Sequence, residues 1–268
     1  MTGAVFIETF KQTWKQMVAW GFGLAALAMM VVLMVPLFDM QDMKSLLENF
    51  PPFILAMIGI GSDLEVFATN EGFVAIGFFG KSALIFAVYP VVMGMRITAE
   101  EEDTGIMDVL LSLPLSRAKT LVEKFLAYSI SIIGVVLLIY LGVGIGASLG
   151  NVDLDAGRLT EVTFYLIPLM IFVMAATMLV AAVARRRMVA LGVITAFVVA
   201  SFMLQTIGLA AEGTVAEPLG AVSFFTYYNA GNILREGFIW PHIAGYAALS
   251  LLMLAASLYR YERRDVGV

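Results

Sequence analysis

Few residues in this chain have the types that chemistry requires, and fewer have the spacing. Gly80-Lys81-Ser82 ends as a phosphate-binding loop ends, but that loop needs glycine five residues before Gly80, and Ala75 stands there. The tripeptide also lies inside an apolar run with no strand before it, so nucleotide binding is not expected there. Cysteine is absent and His242 is the single histidine, which excludes disulfides, thiolate metal sites and multi-histidine metal sites. His242, beside Pro241, reads as an interfacial side chain. The acidic run Glu100 to Asp103 could gather a cation, yet it fits the solvated start of a helix better. Met170, Met174 and Met178 recur every fourth residue. They read as flexible packing or as an adaptable lining for apolar substrates, ahead of a soft-metal path. No catalytic residue and no metal ligand set is expected.

The elements that must position these residues are set by hydropathy. The chain has 268 residues, 61% of them hydrophobic and 14% charged, with a mean hydropathy of +0.93. A soluble domain carries about 25% charged residues, so this is a multi-pass membrane protein. The net charge of −5 and the lack of a basic stripe argue against a nucleic-acid partner. Residues 1–16 read as an amphipathic helix in the membrane interface, with Phe6, Phe10, Trp14 and Met17 near one face. Apolar runs long enough to cross a bilayer follow at 18–38, 73–97, 121–149, 164–184, 188–211 and 240–259. The fold class is therefore all-α: six transmembrane helices in a single domain, 1–268.

Between the first two runs, residues 39–72 form a mixed loop with an apolar patch around Phe53 to Ile60, read as a short surface helix. The series Gly142, Gly146 and Gly150 suits close helix packing. Phe224, Phe225, Tyr227 and Tyr228 precede the sixth run and suit the headgroup level. Lysines and arginines at positions 11, 15, 96, 117, 119, 124, 185–187, 260, 263 and 264 fall on one side of this topology, and only Lys44, Arg158 and Arg235 on the other. The positive-inside rule then makes both termini cytoplasmic. Arg185, Arg186 and Arg187 fix topology by their charge, and could also touch a partner or anionic lipid.

The longest polar interruption on that side is Thr98 to Lys119. Asp103 or Thr104 can cap a short helix there, with carboxylates at its positive end. Ile106, Leu110 and Leu113 recur at helical spacing with Met107 and Leu111 beside them, and Pro114 biases Leu113 out of the helix. A short apolar helix held at the cytoplasmic face is a docking surface.

The segment from Glu101 to Arg117, together with the topology around it (an amphipathic N-terminal helix, six spans and an aromatic re-entrant-like segment before the sixth), resembles the signature loop of type-2 ABC exporter permeases. That pattern has an acidic pair, a Gly-Thr-Leu, a Leu-Leu and a Pro-x-x-Arg between spans two and three. The present chain has Ile106 and Met107 where the family usually has Thr and Leu. The resemblance implies a coupling helix that seats on a separate ATPase through Glu101, Glu102, Gly105, Ile106, Met107, Leu110, Leu111, Pro114 and Arg117. It also implies two ATPase chains carrying the ATP and Mg, and a second permease chain, identical or homologous. No cofactor is expected on this chain. Two other classes compete: a membrane-embedded lipid-modifying enzyme, and a secondary transporter. Both need ionisable groups at membrane depth, and Lys81 is the one that stands out. Lys81 either snorkels outward or faces the transport path, where Met170, Met174 and Met178 would join it.

Overall fold

The computed structural model describes residues 3–51, 53–55, 59–60, 64–80, 82–98, 117–184, 186–211 and 213–262. The described residues contain helices and no strand. Five helical stretches are long and apolar enough to cross a membrane, or six if one bent pair counts as a single span.

Helix α1, Ala4–Met34, is unbroken. The expected boundary between an interfacial helix at 1–16 and a span at 18–38 is therefore not a division of the helix. The chain has no Pro or Gly between Ala4 and Trp20, so nothing interrupts the backbone ladder. At 1.5 Å per residue α1 is roughly 46 Å long, against a hydrocarbon core of about 30 Å. Pro36 then tightens the chain into a 3-10 turn, Val35–Leu37.

The next helices are short. Asp39 caps α2 (Met40–Leu47), accepting from the amides of Gln41 and Asp42. Helix α3 (Leu64–Phe67) follows. Residues 53–55 are helical, and Leu55 and Ile60 of the expected apolar patch pack with Leu47, Phe67 and Ile76.

The second apolar run is not one regular helix. Thr69 caps α4 (Asn70–Val74) by accepting from the Gly72 amide at 3.0 Å. The helix then widens into a π-helical turn, Ala75–Gly80, and bends by 43° into α5 (Ala83–Thr98). Lys81 lies outside the described residues. Phe78, Phe79 and Phe86 pack edge to face around the bend, with ring centroids 4.9 and 5.4 Å apart along Phe79–Phe78–Phe86.

Helix α6 (Arg117–Gly150) lies parallel to α1. Five pairs hold one register, each 117 positions apart: Met17 with Gly134, Gly21 with Leu138, Ala25 with Gly142, Met29 with Gly146, and Leu33 with Gly150. Of the five positions on α6 spaced every fourth residue, four are glycine (134, 142, 146 and 150) and Leu138 faces Gly21 instead, so α1 lies against a groove, which is how small residues let membrane helices approach. Because α1 and α6 run the same way, the chain between them must return, and the bent α4–α5 segment is the apolar stretch available for it.

Asp155 caps α7 (Ala156–Phe164), and the chain turns at Tyr165 into α8 (Leu166–Val183). Helix α8 is the most enclosed element. Gly94 of α5 lies so close to it that an added Cβ would stand 2.7 Å from the Met174 carbonyl oxygen. Helix α9 spans Arg187–Ala210, α10 spans Ala230–Glu236, and α11 spans Trp240–Glu262.

Between α9 and α10 the aromatic segment departs from its expected headgroup position. Phe224, Phe225 and Tyr228 are buried, and Tyr227 alone is exposed. Phe224 stacks on Phe197 at 5.4 Å and lies 5.3 Å from Phe172, and both partners sit in the middle of their helices. The segment thus dips inward. Backbone groups at such depth need protein partners. Phe224 N–H donates to Ser201, Tyr246 donates to the Phe224 carbonyl at 2.6 Å, and Gln205 donates to the Phe225 carbonyl at 3.1 Å.

A Cβ at Gly142 would lie 2.4 Å from the Ala25 carbonyl oxygen, whereas one at Gly144 meets nothing within 4 Å. Gly142→Ala should destabilise the purified chain by about 1–3 kcal/mol, the usual cost of overpacking, and Gly144→Ala should not. Thermal unfolding in detergent compares the two; equal midpoints would contradict the register.

Candidate functional site

The expected docking residues Glu101, Glu102, Gly105, Ile106, Met107, Leu110, Leu111 and Pro114 lie outside the described residues, and so does Arg185. Arg117 opens α6. What the structure describes is how the two flanks of that loop are held, and both are held by α1.

On the incoming flank, α5 ends at Thr98, and the Arg96 guanidinium donates to Gln16 Oε1 of α1. On the outgoing flank, Glu123 lies in the second turn of α6 and reaches the start of α1. Its Oε1 accepts from the Gly3 amide at 3.0 Å, and its Oε2 accepts from the amides of Val5 and Phe6 at 3.1 and 3.2 Å. The first amides of any helix lack partners within it, and the helix dipole places partial positive charge there. Glu123 therefore does from another helix what a capping residue does locally, and it does so with a full negative charge. Gly3, with φ of 92°, makes no side-chain cap of its own. Lys119 stands one turn before, its Nζ 4.0 Å from Glu123 Oε1.

Sequence reading named Lys81 alone as a standout ionisable group in the spans and passed over Glu123, although 121–149 contains it. A carboxylate in the first turn of an apolar run, four residues after a lysine, was the available signal. Its partners lie about 120 positions away, beyond the reach of any local pattern.

Arg186 and Arg187 are exposed at the start of α9. Positive side chains at a helix N-terminus oppose the dipole, so helix stability does not account for them. Nearby, Met95, Ala181 and Ala190 bury one another, which sets α5, α8 and α9 together at this end.

Met170, Met174 and Met178 do recur on one helix, and all three are buried in the main hydrophobic cluster. Within this chain they pack against neighbouring helices. Among the described residues no group of three or more His, Cys, Asp or Glu side chains could hold a metal ion.

Residues 4–266 match the family model described as ABC-2 family transporter protein. The chain belongs to that family. No match to a curated protein and none to a solved structure was found. As an ABC-2 permease it is a non-catalytic, multi-pass helical membrane subunit. Its membership gives the Glu123 contact a context: the described residues flanking 99–116 are tied to one helix, in a family of transporter membrane proteins.

Glu123→Ala should leave the amides of Gly3, Val5 and Phe6 without their acceptor. Hydrogen exchange of the purified ABC-2 chain should then quicken at residues 3–8 and stay unchanged in α8. Unaltered exchange at Val5 and Phe6 would show that the contact does not hold α1.

Proposed function

We propose that this chain is the permease subunit of an ATP-driven exporter, with the Thr98–Lys119 loop as the coupling element to a separate ATPase. The supporting observation is that α1 holds both flanks of that loop, through Gln16–Arg96 on one side and the Glu123 contact on the other. In this reading the terminal end is cytoplasmic, α4–α5 is one bent span, and the spans number six. The arginines at the start of α9 then face the cytoplasm, where their charge sets topology and meets the ATPase or anionic lipid.

The complete machine has two permease chains, identical or homologous, and two ATPase chains that bind ATP and Mg. The apolar face of Ile106, Leu110 and Leu111 docks on the ATPase with Met107 and Gly105 beside it. Glu101 and Glu102 sit at the start of the helix, and Pro114 and Arg117 form its exit turn. The α1–α6 pair transmits the movement. Two helices in one register over five pairs, with backbone of α1 against Gly142 and Gly146, have little freedom to slide, so a displacement of the loop moves both together. Lys81, which follows the π-helical turn Ala75–Gly80 in sequence, is assigned to the transport path, and a π-helical turn is a geometry often found at functional positions.

Two experiments test the reading. Leu110→Asp puts a charge into the docking face, and it should abolish co-purification with the ATPase chain while the permease still inserts. Stoichiometric recovery of the ATPase with Leu110→Asp would overturn the docking assignment. Lys81→Met keeps length and removes charge, so export in reconstituted vesicles should fall while basal ATP hydrolysis survives. Unchanged export would remove Lys81 from the path.

A further inference from the structure

At the end of the molecule opposite Glu123, the inward-dipping segment borders an open-mouthed cavity of about 520 Å³. It lies between α9 and α10, and its polar lining includes Gln205, Glu217, Thr226, Tyr227, Asn229 and Asn232. A smaller cavity of about 40 Å³ shares Gln205, Leu209 and Asn229 and continues it to Ile76 and Gly80 of the π-helical turn. The larger volume falls within the range of small-molecule sites, roughly 300–1,000 Å³.

The hydrogen bonds within this lining fix which atoms remain available. Asn229 Oδ1 accepts from the Asn232 amide at 3.1 Å as the cap of α10, which leaves Asn229 Nδ2 as a donor. Asn232 Oδ1 accepts from Arg235 at 3.4 Å, which leaves Asn232 Nδ2 as a second donor. Gln205 Nε2 is committed to the Phe225 carbonyl, so its Oε1 is an acceptor. Glu217 Oε2 accepts from the Gly213 amide at 2.8 Å, and Oε1 is a second acceptor. None of these four remaining atoms has a partner among the described residues. The Tyr227 ring forms an apolar plate beside them, held by its hydroxyl donating to the Ala221 carbonyl at 2.9 Å and by an edge contact with His242.

The charge and the donor pattern narrow the ligand. Among the described residues the lining has one carboxylate and no lysine or arginine, which disfavours phosphate and carboxylate ligands. Two fixed amide donors would meet a bare ammonium with the wrong polarity. Paired donors and acceptors beside a flat ring suit a group whose every hydroxyl both gives and takes a hydrogen bond, and whose ring face is apolar. We infer that this cavity binds a neutral, hydroxyl-rich ring, that is, a sugar, either free or as a lipid headgroup. The site goes beyond the coupling function, which belongs to the other end. Binding is read on the isolated chain and needs no ATPase.

The test is saturation-transfer NMR on the purified chain exchanged into amphipol, with maltose, choline chloride and glycerol phosphate as separate probes. Maltose should receive saturation and the two ions should not. Asn232→Ala removes one donor and no cap, and should weaken maltose binding by about threefold to tenfold, the worth of one hydrogen bond. Gln205→Leu provides a second, independent variant and should also weaken it. Preference for octyl glucoside over glucose by about tenfold assigns the sugar to a lipid, and equal binding assigns it to a free saccharide. No transfer to maltose from folded protein overturns the inference. So does transfer to choline alone, or maltose binding untouched by both variants.

Discussion

The close parallel packing of α1 on α6 is the constraint from which most of the described structure follows. It requires glycine at position 142, because the Ala25 carbonyl lies where a side chain would begin, and Gly146 on the same face meets the Met29 backbone. Parallel neighbours oblige the chain to cross back between them, and the crossing falls to a stretch that widens and bends. The same packing brings the start of α1 within reach of Glu123. Both flanks of the segment 99–116 rest on α1, so under the proposed function the α1–α6 pair carries the movement that begins there.

The opposite end is built on a different principle. There the chain between α9 and α10 turns inward in two short 3-10 turns, Glu217–Val222 and Phe224–Tyr227, and hydroxyl and amide side chains take over part of the pairing of its backbone. Ser201, Gln205 and Tyr246 each hold one group of the Phe224–Phe225 segment. An irregular segment held this way creates concave surface with polar walls, which a plain helix bundle lacks. Within the proposed function, one end of the molecule therefore moves with the ATPase while the other presents a fixed, polar recess.

Much of this was legible in the sequence, and the exceptions have a common cause. Apolar runs identified the five helical stretches long and apolar enough to cross a membrane, and the bent pair as well, because a span is a local property of about twenty residues. Gly142, Gly146 and Gly150 read as a close-packing series, and they are one, though the partner helix could not be named from spacing. Glu123 was invisible because its meaning depends on amides at the far end of the first helix. By composition Phe224, Phe225 and Tyr228 suit an interfacial belt, since composition cannot separate aromatic side chains that face headgroups from those that line a fold-back; the re-entrant-like reading comes from the family resemblance alone. The methionines on α8 kept their spacing and proved to be buried packing within the chain.

The central claim is that α1 and α6 move as one body when the transporter cycles. The chain has no cysteine, so spin labels can be placed at will. Pairs at Lys11 with Leu126, and at Leu126 with Met203, use exposed positions on α1, α6 and α9. In the assembled complex, pulsed dipolar measurements should give the same Lys11–Leu126 distance without nucleotide and with ATP trapped, while the Leu126–Met203 distance shifts. A Lys11–Leu126 distance that changes with nucleotide as much as Leu126–Met203 does would contradict the account.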